Sequence, residues 1–178
     1  MSSDPQAVLI TGPFGVGKTT VVEEMAEILE RDGARFAALD LDWLSWAWPG
    51  TADDGDAEHR LMLEHLGLIV GNLRRRGNDR FVLAYAVRTL EAWRDIRSTL
   101  SMPTRLVALT LPLDEIRRRV AADPTAGRVD DLRRSEAWLA DVDAPPPGPD
   151  LEIANDRAVH EVAEAILAWL GWRKPGVG

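Results

Sequence analysis

The sequence predicts an α/β fold in one domain: three layers, with a five-stranded parallel sheet between helices. Three observations carry this. Short apolar runs alternate with segments of helical period along the 178 residues, the pattern of a parallel sheet covered on both faces. The length is close to the roughly 150 residues of one domain. The first apolar run ends in a glycine-rich stretch that opens directly into a helical pattern, the usual join between a strand and a phosphate-binding helix.

The elements follow in order. Ala7 to Thr11 is an apolar run that ends in glycine, the first strand. Thr19 to Arg31 carries Val22, Met25, Ile28 and Leu29 at helical spacing, and Gly33 stops it. Arg35 to Asp42 is the second strand. Asp54 to Arg76 is a long helix with Met62, Leu66, Ile69, Val70 and Leu73 on one face, ended by Gly77. Phe81 to Val87 is the third strand and Thr89 to Leu100 the next helix. Arg105 to Leu111 is the fourth strand, followed by an arginine-rich helix from Leu113 to Ala122. Pro124 to Arg128 interrupts it, and Val129 to Val142 is helical again. Ala144 to Pro149 is a stiff proline-rich connector. Leu151 to Ala154 is the fifth strand, and Val159 to Leu170 is an amphipathic closing helix.

Composition excludes several classes. Asp plus Glu outnumber Lys plus Arg by 29 to 21, a net charge of −8. That balance disfavours a general nucleic-acid binder, which needs clustered positive charge. No apolar run approaches the roughly 18 residues of a membrane span. The first residues show no basic region before an apolar run, so no signal peptide is read. Cysteine is absent, which removes disulfides, thiol nucleophiles and cysteine metal sites and suits a cytoplasmic location. Lys18 and Lys174 are the two lysines; every other basic residue is arginine.

Gly12-Pro13-Phe14-Gly15-Val16-Gly17-Lys18-Thr19-Thr20 fits the phosphate-loop pattern G-x-x-x-x-G-K-[ST] in its required strand-to-helix context. Glycines let successive N–H groups turn inward around a phosphate. The helix N-terminus adds its dipole. Lys18 then reaches the β- and γ-phosphates, and Thr19 is placed to ligate Mg²⁺. No Asn-Lys-x-Asp guanine motif follows, and the third strand has no Asp at its end.

Asp40 and Asp42 alternate at the end of the second strand, so both carboxylates are expected on one side. Ligands in open parallel sheets bind beyond the carboxyl ends of the strands. Asp40 is therefore the candidate to accept an acceptor's hydroxyl proton or to hold Mg²⁺, and Asp42 to grip the acceptor. Trp43, Trp46 and Trp48 follow at once. They either wall an acceptor pocket or pack beneath a helix or against a second subunit, and the residues leave both readings open. Arg117 and Arg118 read as a solvated helix face paired with Asp114, Glu115 and Asp123. At most one or two arginines of this cluster are expected to face a phosphate, whose oxygens an arginine fork neutralises. His59, His65 and His160 are scattered and form no metal cluster.

The phosphate loop, the D-x-D and the five-strand order together resemble the P-loop small-molecule kinases: shikimate, gluconate and adenylate kinases and chloramphenicol phosphotransferase. The loop wording also resembles tunicamycin-resistance proteins. The resemblance implies sheet order 2-3-1-4-5 and a small helical lid at about residues 121–147 within the single domain 1–178. Asp40 and Asp42 look like the D-x-D of shikimate kinase. Phe81 to Thr89 is similar to the adenylate kinase strand ending in D-G-F-P-R-T, which makes Arg88 an acceptor contact, although Ala84 and Val87 replace the Asp and Pro. Ala92 to Arg97 looks like the Y-R-D-x-L-R of gluconate kinase. Arg119 falls at the base of the lid and Arg128 inside it. Asn155-Asp156-Arg157 falls where the family's adenine-contacting loop lies, so Asn155 joins the expected nucleotide-binding residues.

The expected activity is transfer of the γ-phosphate of Mg-ATP to a hydroxyl of a small molecule: a sugar acid, a metabolite or an antibiotic. Lys18, Asp40, Arg119 and Arg128 would be catalytic. Residues Gly12 to Thr20 would bind nucleotide, and Asp42, Trp43, Trp46 and Arg88 the acceptor. The partners expected are the small-molecule acceptor and at most a second copy of the chain, with neither nucleic acid nor membrane. Two other readings stay open: a regulatory nucleotide-binding ATPase module with a protein partner, and a nucleoside or nucleotide kinase.

Overall fold

The computed structural model describes residues 4–46, 55–122, 136 and 147–173. Its elements run β1 Gln6–Thr11, α1 Lys18–Arg31, β2 Phe36–Asp40, a single 3₁₀ turn Leu41–Leu44, α2 Gly55–Arg75, β3 Arg80–Ala84, α3 Leu90–Leu100, β4 Thr104–Thr110, α4 Leu113–Ala122, β5 Leu151–Ala154 and α5 Val159–Trp169. The five strands form one parallel sheet in the order β2-β3-β1-β4-β5.

Strand alternation builds two cores, one on each face. Val8 and Ile10 of β1, Val82 and Ala84 of β3, and Val107 and Leu109 of β4 join α1, α4 and α5 on one side. Ala7 and Leu9, Phe81 and Leu83, and Leu106 join α2 and α3 on the other. With side chains pointing alternately up and down, an unbroken apolar strand must be covered twice. Phe81 is fully buried. Phe81→Ala is expected to destabilise by about 3–5 kcal/mol, the cost of an aromatic-sized cavity, read as a lower midpoint in urea with unchanged slope.

Register fixes where function can sit. Ile10 pairs with Ala84 and Ala84 with Asp40, so β1, β3 and β2 end level. The phosphate loop and Asp40 therefore open onto the same edge of the sheet. β2 and β3 are both shorter than expected. β2 stops at Asp40 because the Asp40 carboxylate accepts the Asp42 N–H at 3.1 Å and turns the chain into the 3₁₀ turn. β3 stops at Ala84; just beyond it the Thr11 hydroxyl accepts the Val87 N–H at 3.0 Å. Thr89 caps α3 by accepting from the Ala92 N–H. Of the expected lid segment, Ala121 and Ala122 end α4, and Glu136, which is helical, and Pro147 are described; the rest, with the remainder of the helix from Val129, lies outside the described residues.

Candidate active site

The phosphate loop is pressed into shape from outside. A Cβ built on Gly15 would lie 2.7 Å from Val120 Cγ2 of α4, so α4 rests directly on the loop. Gly17 has φ +99°, and a Cβ there would lie 2.6 Å from the side-chain nitrogen of Asn155. Neither position tolerates a side chain. Gly17 also caps α1, which has no side-chain cap bond and no acidic residue in its first turn. The positive end of a 14-residue helix is thus left to an anion, where its N–H groups and dipole favour phosphate.

Lys18 is buried at 7% exposure. Its ammonium donates to the carbonyls of Gly12 and Pro13, each at 3.1 Å, and lies 5.0 Å from the centre of the Phe14 ring. It is held by the loop's own backbone.

Thr19 and Asp40 meet. The Thr19 hydroxyl donates to Asp40 Oδ2 at 2.7 Å across 21 residues of sequence. Asp40 Oδ1 meanwhile holds the Asp42 N–H, so its rotamer is fixed from both oxygens. A hydroxyl and a carboxylate at the phosphate-facing end of the sheet are hard oxygen donors of the kind Mg²⁺ takes, with waters and substrate phosphates completing the shell. The residues fit the ion. Among the described residues no group of three His, Asp or Glu forms a closed metal site.

Asp42 does not share Asp40's side of a strand. It lies in the 3₁₀ turn and is exposed, because the cap at Asp40 ends the pleat that alternation requires. Trp43 and Trp46 follow at 65% and 73% exposure, with ring centres 4.9 Å apart. Among the described residues no helix covers them; they form an open aromatic pair in the segment that follows Asp40. Trp48 lies outside the described residues. Trp93 and Trp172, by contrast, are buried. Arg88 is exposed beyond the end of β3.

Arg119 reaches the site from α4. Its guanidinium donates to the Asn155 carbonyl at 2.9 Å and to Glu115 at 3.1 Å, and lies 3.9 Å from a Cβ built on Gly17. Arg117 pairs with Asp114 and Glu136, and Arg118 with Glu115, out on the solvent face. Arg128 lies outside the described residues.

Asn155 is 5% exposed, and its side-chain amide donates to the Val16 carbonyl at 2.7 Å. Its own N–H goes to Thr110 and its carbonyl to Arg119. It therefore ties loop, β4, β5 and α4 together, and its amide is committed to the loop backbone. Asn155→Ala leaves a buried carbonyl without its donor. It is expected to cost about 1–3 kcal/mol of stability and to weaken nucleotide affinity about tenfold through a slack loop, as measured by denaturation and nucleotide titration.

Two residues that sequence reasoning missed lie near the end of β2. Tyr85 follows β3, and Glu58 lies in the first turns of α2, where it accepts from the Ser45 hydroxyl at 3.4 Å. Burial, then the charges of Asp42 and Glu58, push the Tyr85 phenol from 10.0 up to about 12. The fold holds this proton more tightly than the unfolded chain does. Its contribution to stability is complete below pH 10 and is lost as pH rises from 10 to about 12. Tyr85 is the single tyrosine, so ultraviolet titration of phenolate reads it alone. A midpoint near 12, lowered in Glu58→Gln, is expected; a midpoint that Glu58→Gln leaves unchanged would remove the negative field assigned to this corner.

His59 and His65 form no pair. His59 contacts Asp95 of α3 at 3.3 Å, while His65 contacts the Leu44 carbonyl.

With the geometry in place, the comparisons are specific about family. The profile of the AAA domain family matches residues 8–140, most of the chain, from β1 through the loop and beyond α4. The chain belongs to this P-loop family. No curated protein matches it by sequence. Among solved structures it is similar to the Mycobacterium tuberculosis APS kinase in complex with AMPPNP and APS, at 21% identity and TM-score 0.62, covering 94% of this chain and 98% of that one. It is similar to a gluconokinase from Sinorhizobium meliloti, at 18% identity and TM-score 0.64, covering 94% and 93%. It is also similar to the tunicamycin resistance protein of Deinococcus radiodurans, at 21% identity and TM-score 0.60, covering 95% and 96%. The chain has the fold of P-loop small-molecule kinases over nearly its whole length. Among the described residues no helix is long and apolar enough to cross a membrane.

Proposed function

We propose that this P-loop chain is an ATP- and Mg²⁺-dependent phosphotransferase acting on a hydroxyl of a small molecule. The observation that carries the reading is the 2.7 Å contact between Thr19 and Asp40, which joins the phosphate loop to the only acidic strand end beside it among the described residues. The loop amides from Gly15 to Thr19 would bind the β-phosphate, with Lys18 neutralising charge at the β–γ bridge. Thr19 and Asp40 would hold Mg²⁺, whose role is to neutralise phosphate charge and align the oxygens.

The chemistry assigned to the chain is simple. The acceptor's hydroxyl oxygen bonds to the γ-phosphorus as the bond from that phosphorus to the β–γ bridging oxygen breaks. ADP leaves with that electron pair, and the hydroxyl proton passes to the Asp40 carboxylate. Arg119, carried on α4, and Arg128 in the lid segment would neutralise the transferring group and exclude water.

The test is ADP release from Mg-ATP, alone and with sugar acids, shikimate, nucleosides, nucleotides and antibiotics bearing hydroxyls. Stimulation by one acceptor class supports the reading. The exposed Trp43–Trp46 pair favours one second reading, a regulatory nucleotide-binding module that docks a protein there. In that case no small acceptor accelerates ADP release, and Asp40→Asn leaves basal turnover unchanged.

A further inference from the structure

Resting on the phosphotransferase reading, we propose that the acceptor is a cationic polyhydroxylated amine, stacked on Trp43 and Trp46 with its ammonium held by Asp42 and Glu58. The four residues belong to one corner. Asp40 ends β2 and caps the 3₁₀ turn that carries Asp42 and Trp43, and Trp46 lies two residues beyond that turn. Glu58 is joined to this segment through Ser45 at 3.4 Å. Asp40 is level with Ala84, so Tyr85, the next residue, closes the same corner from β3.

The corner has two properties that together select a ligand. It is aromatic and open: the tryptophan rings are 4.9 Å apart and mostly exposed, a face on which a sugar ring or an ammonium packs. It also carries two exposed acids: Asp42 lies in the 3₁₀ turn, and Glu58 is tied to the same segment through Ser45; their charges add to burial in raising the Tyr85 phenol. A carboxylate, sulfate or phosphate on the acceptor would meet these two charges, with Arg60 and Arg88 the exposed cations nearby in sequence, at a cost that like charges impose. An ammonium meets attraction from both the acids and the rings. The hydroxyls of the same molecule then lie toward Asp40, where phosphoryl transfer is assigned.

Matched ligands isolate the charge. Glucosamine, glucose and gluconate share a carbon skeleton and carry positive, neutral and negative charge. Kanamycin and its fully N-acetylated form provide a larger pair. Two readouts are taken on the full chain: quenching of tryptophan fluorescence without nucleotide, and ADP release with Mg-ATP. The amine of each set is expected to bind at least tenfold more tightly than its neutral or anionic partner and to stimulate ADP release most. Glu58→Gln and Asp42→Asn are expected to raise the KM for the amine about tenfold and to flatten the ranking by charge, with a smaller change in kcat. The proposal is overturned if the anion binds or reacts best, if the ranking survives both variants, or if no amine in either set quenches the fluorescence. Failure of the phosphotransferase reading looks different: the amine binds and the acid variants weaken it, but ADP release does not respond.

Discussion

Lys18→Met is expected to lower phosphoryl transfer by about 10²–10³-fold, the usual effect of removing one preorganised charge from a transition state. Lys18 is buried within the loop, aimed by the carbonyls of Gly12 and Pro13 at 3.1 Å and lying 5.0 Å from the Phe14 ring. No other lysine is near it in sequence, the second being Lys174. Methionine keeps the unbranched shape, so packing against Phe14 survives. Two loop carbonyls lose a donor, at a stability cost of about 1–3 kcal/mol. The variant should therefore fold, with a helical spectrum like that of the native chain, while its initial rate of ADP release collapses. Full activity in a folded Lys18→Met chain would sink the assignment of the loop to catalysis.

The second large effect is at Asp40. Asp40→Asn is expected to lower kcat by about 10²–10⁴-fold, the range for loss of a positioned proton acceptor, and to raise the Mg²⁺ concentration needed for half-maximal rate. Both carboxylate oxygens are in use: Oδ2 accepts from the Thr19 hydroxyl at 2.7 Å and Oδ1 from the Asp42 N–H at 3.1 Å. Asparagine keeps an oxygen for the Asp42 N–H, and its amide can donate to the Thr19 hydroxyl, so the stability cost is at most about 1 kcal/mol. Melting should shift by only a few degrees while the rate falls, which separates chemistry from folding. Unchanged kcat and unchanged Mg²⁺ dependence would remove Asp40 from both assigned roles.

Much of this arrangement is legible in the linear chain because the signals are local. The loop needs nine consecutive residues, Gly12 to Thr20, between a strand and a helix, and all of that fits within one turn of chain. α4 and β5 take the expected bounds, Leu113–Ala122 and Leu151–Ala154, because apolar period and flanking proline or asparagine mark them without help from neighbours. The sheet order came from resemblance, and the strand pairing matches it.

What was not legible depends on contacts between distant residues. The alternation of Asp40 and Asp42 predicts one shared side, but a side-chain cap at Asp40 ends the strand first. Asn155 reads as a nucleotide contact, yet its amide is spent on Val16, 139 residues away. Tyr85 and Glu58 carry no motif at all. They matter only because β3 lies beside β2 and the start of α2 is joined to the segment after the 3₁₀ turn.

The amino-acid sequence by itself determined the phosphate loop, the parallel α/β class and the residues that can handle a phosphate, since each rests on spacing within one element. The tertiary structure alone decided which of those residues meet. It put Thr19 against Asp40, Arg119 against the Asn155 carbonyl, and Ser45 against Glu58. The reason is physical: strand register and helix packing fix distances between segments far apart in the chain, and charge and hydrogen bonding act through those distances.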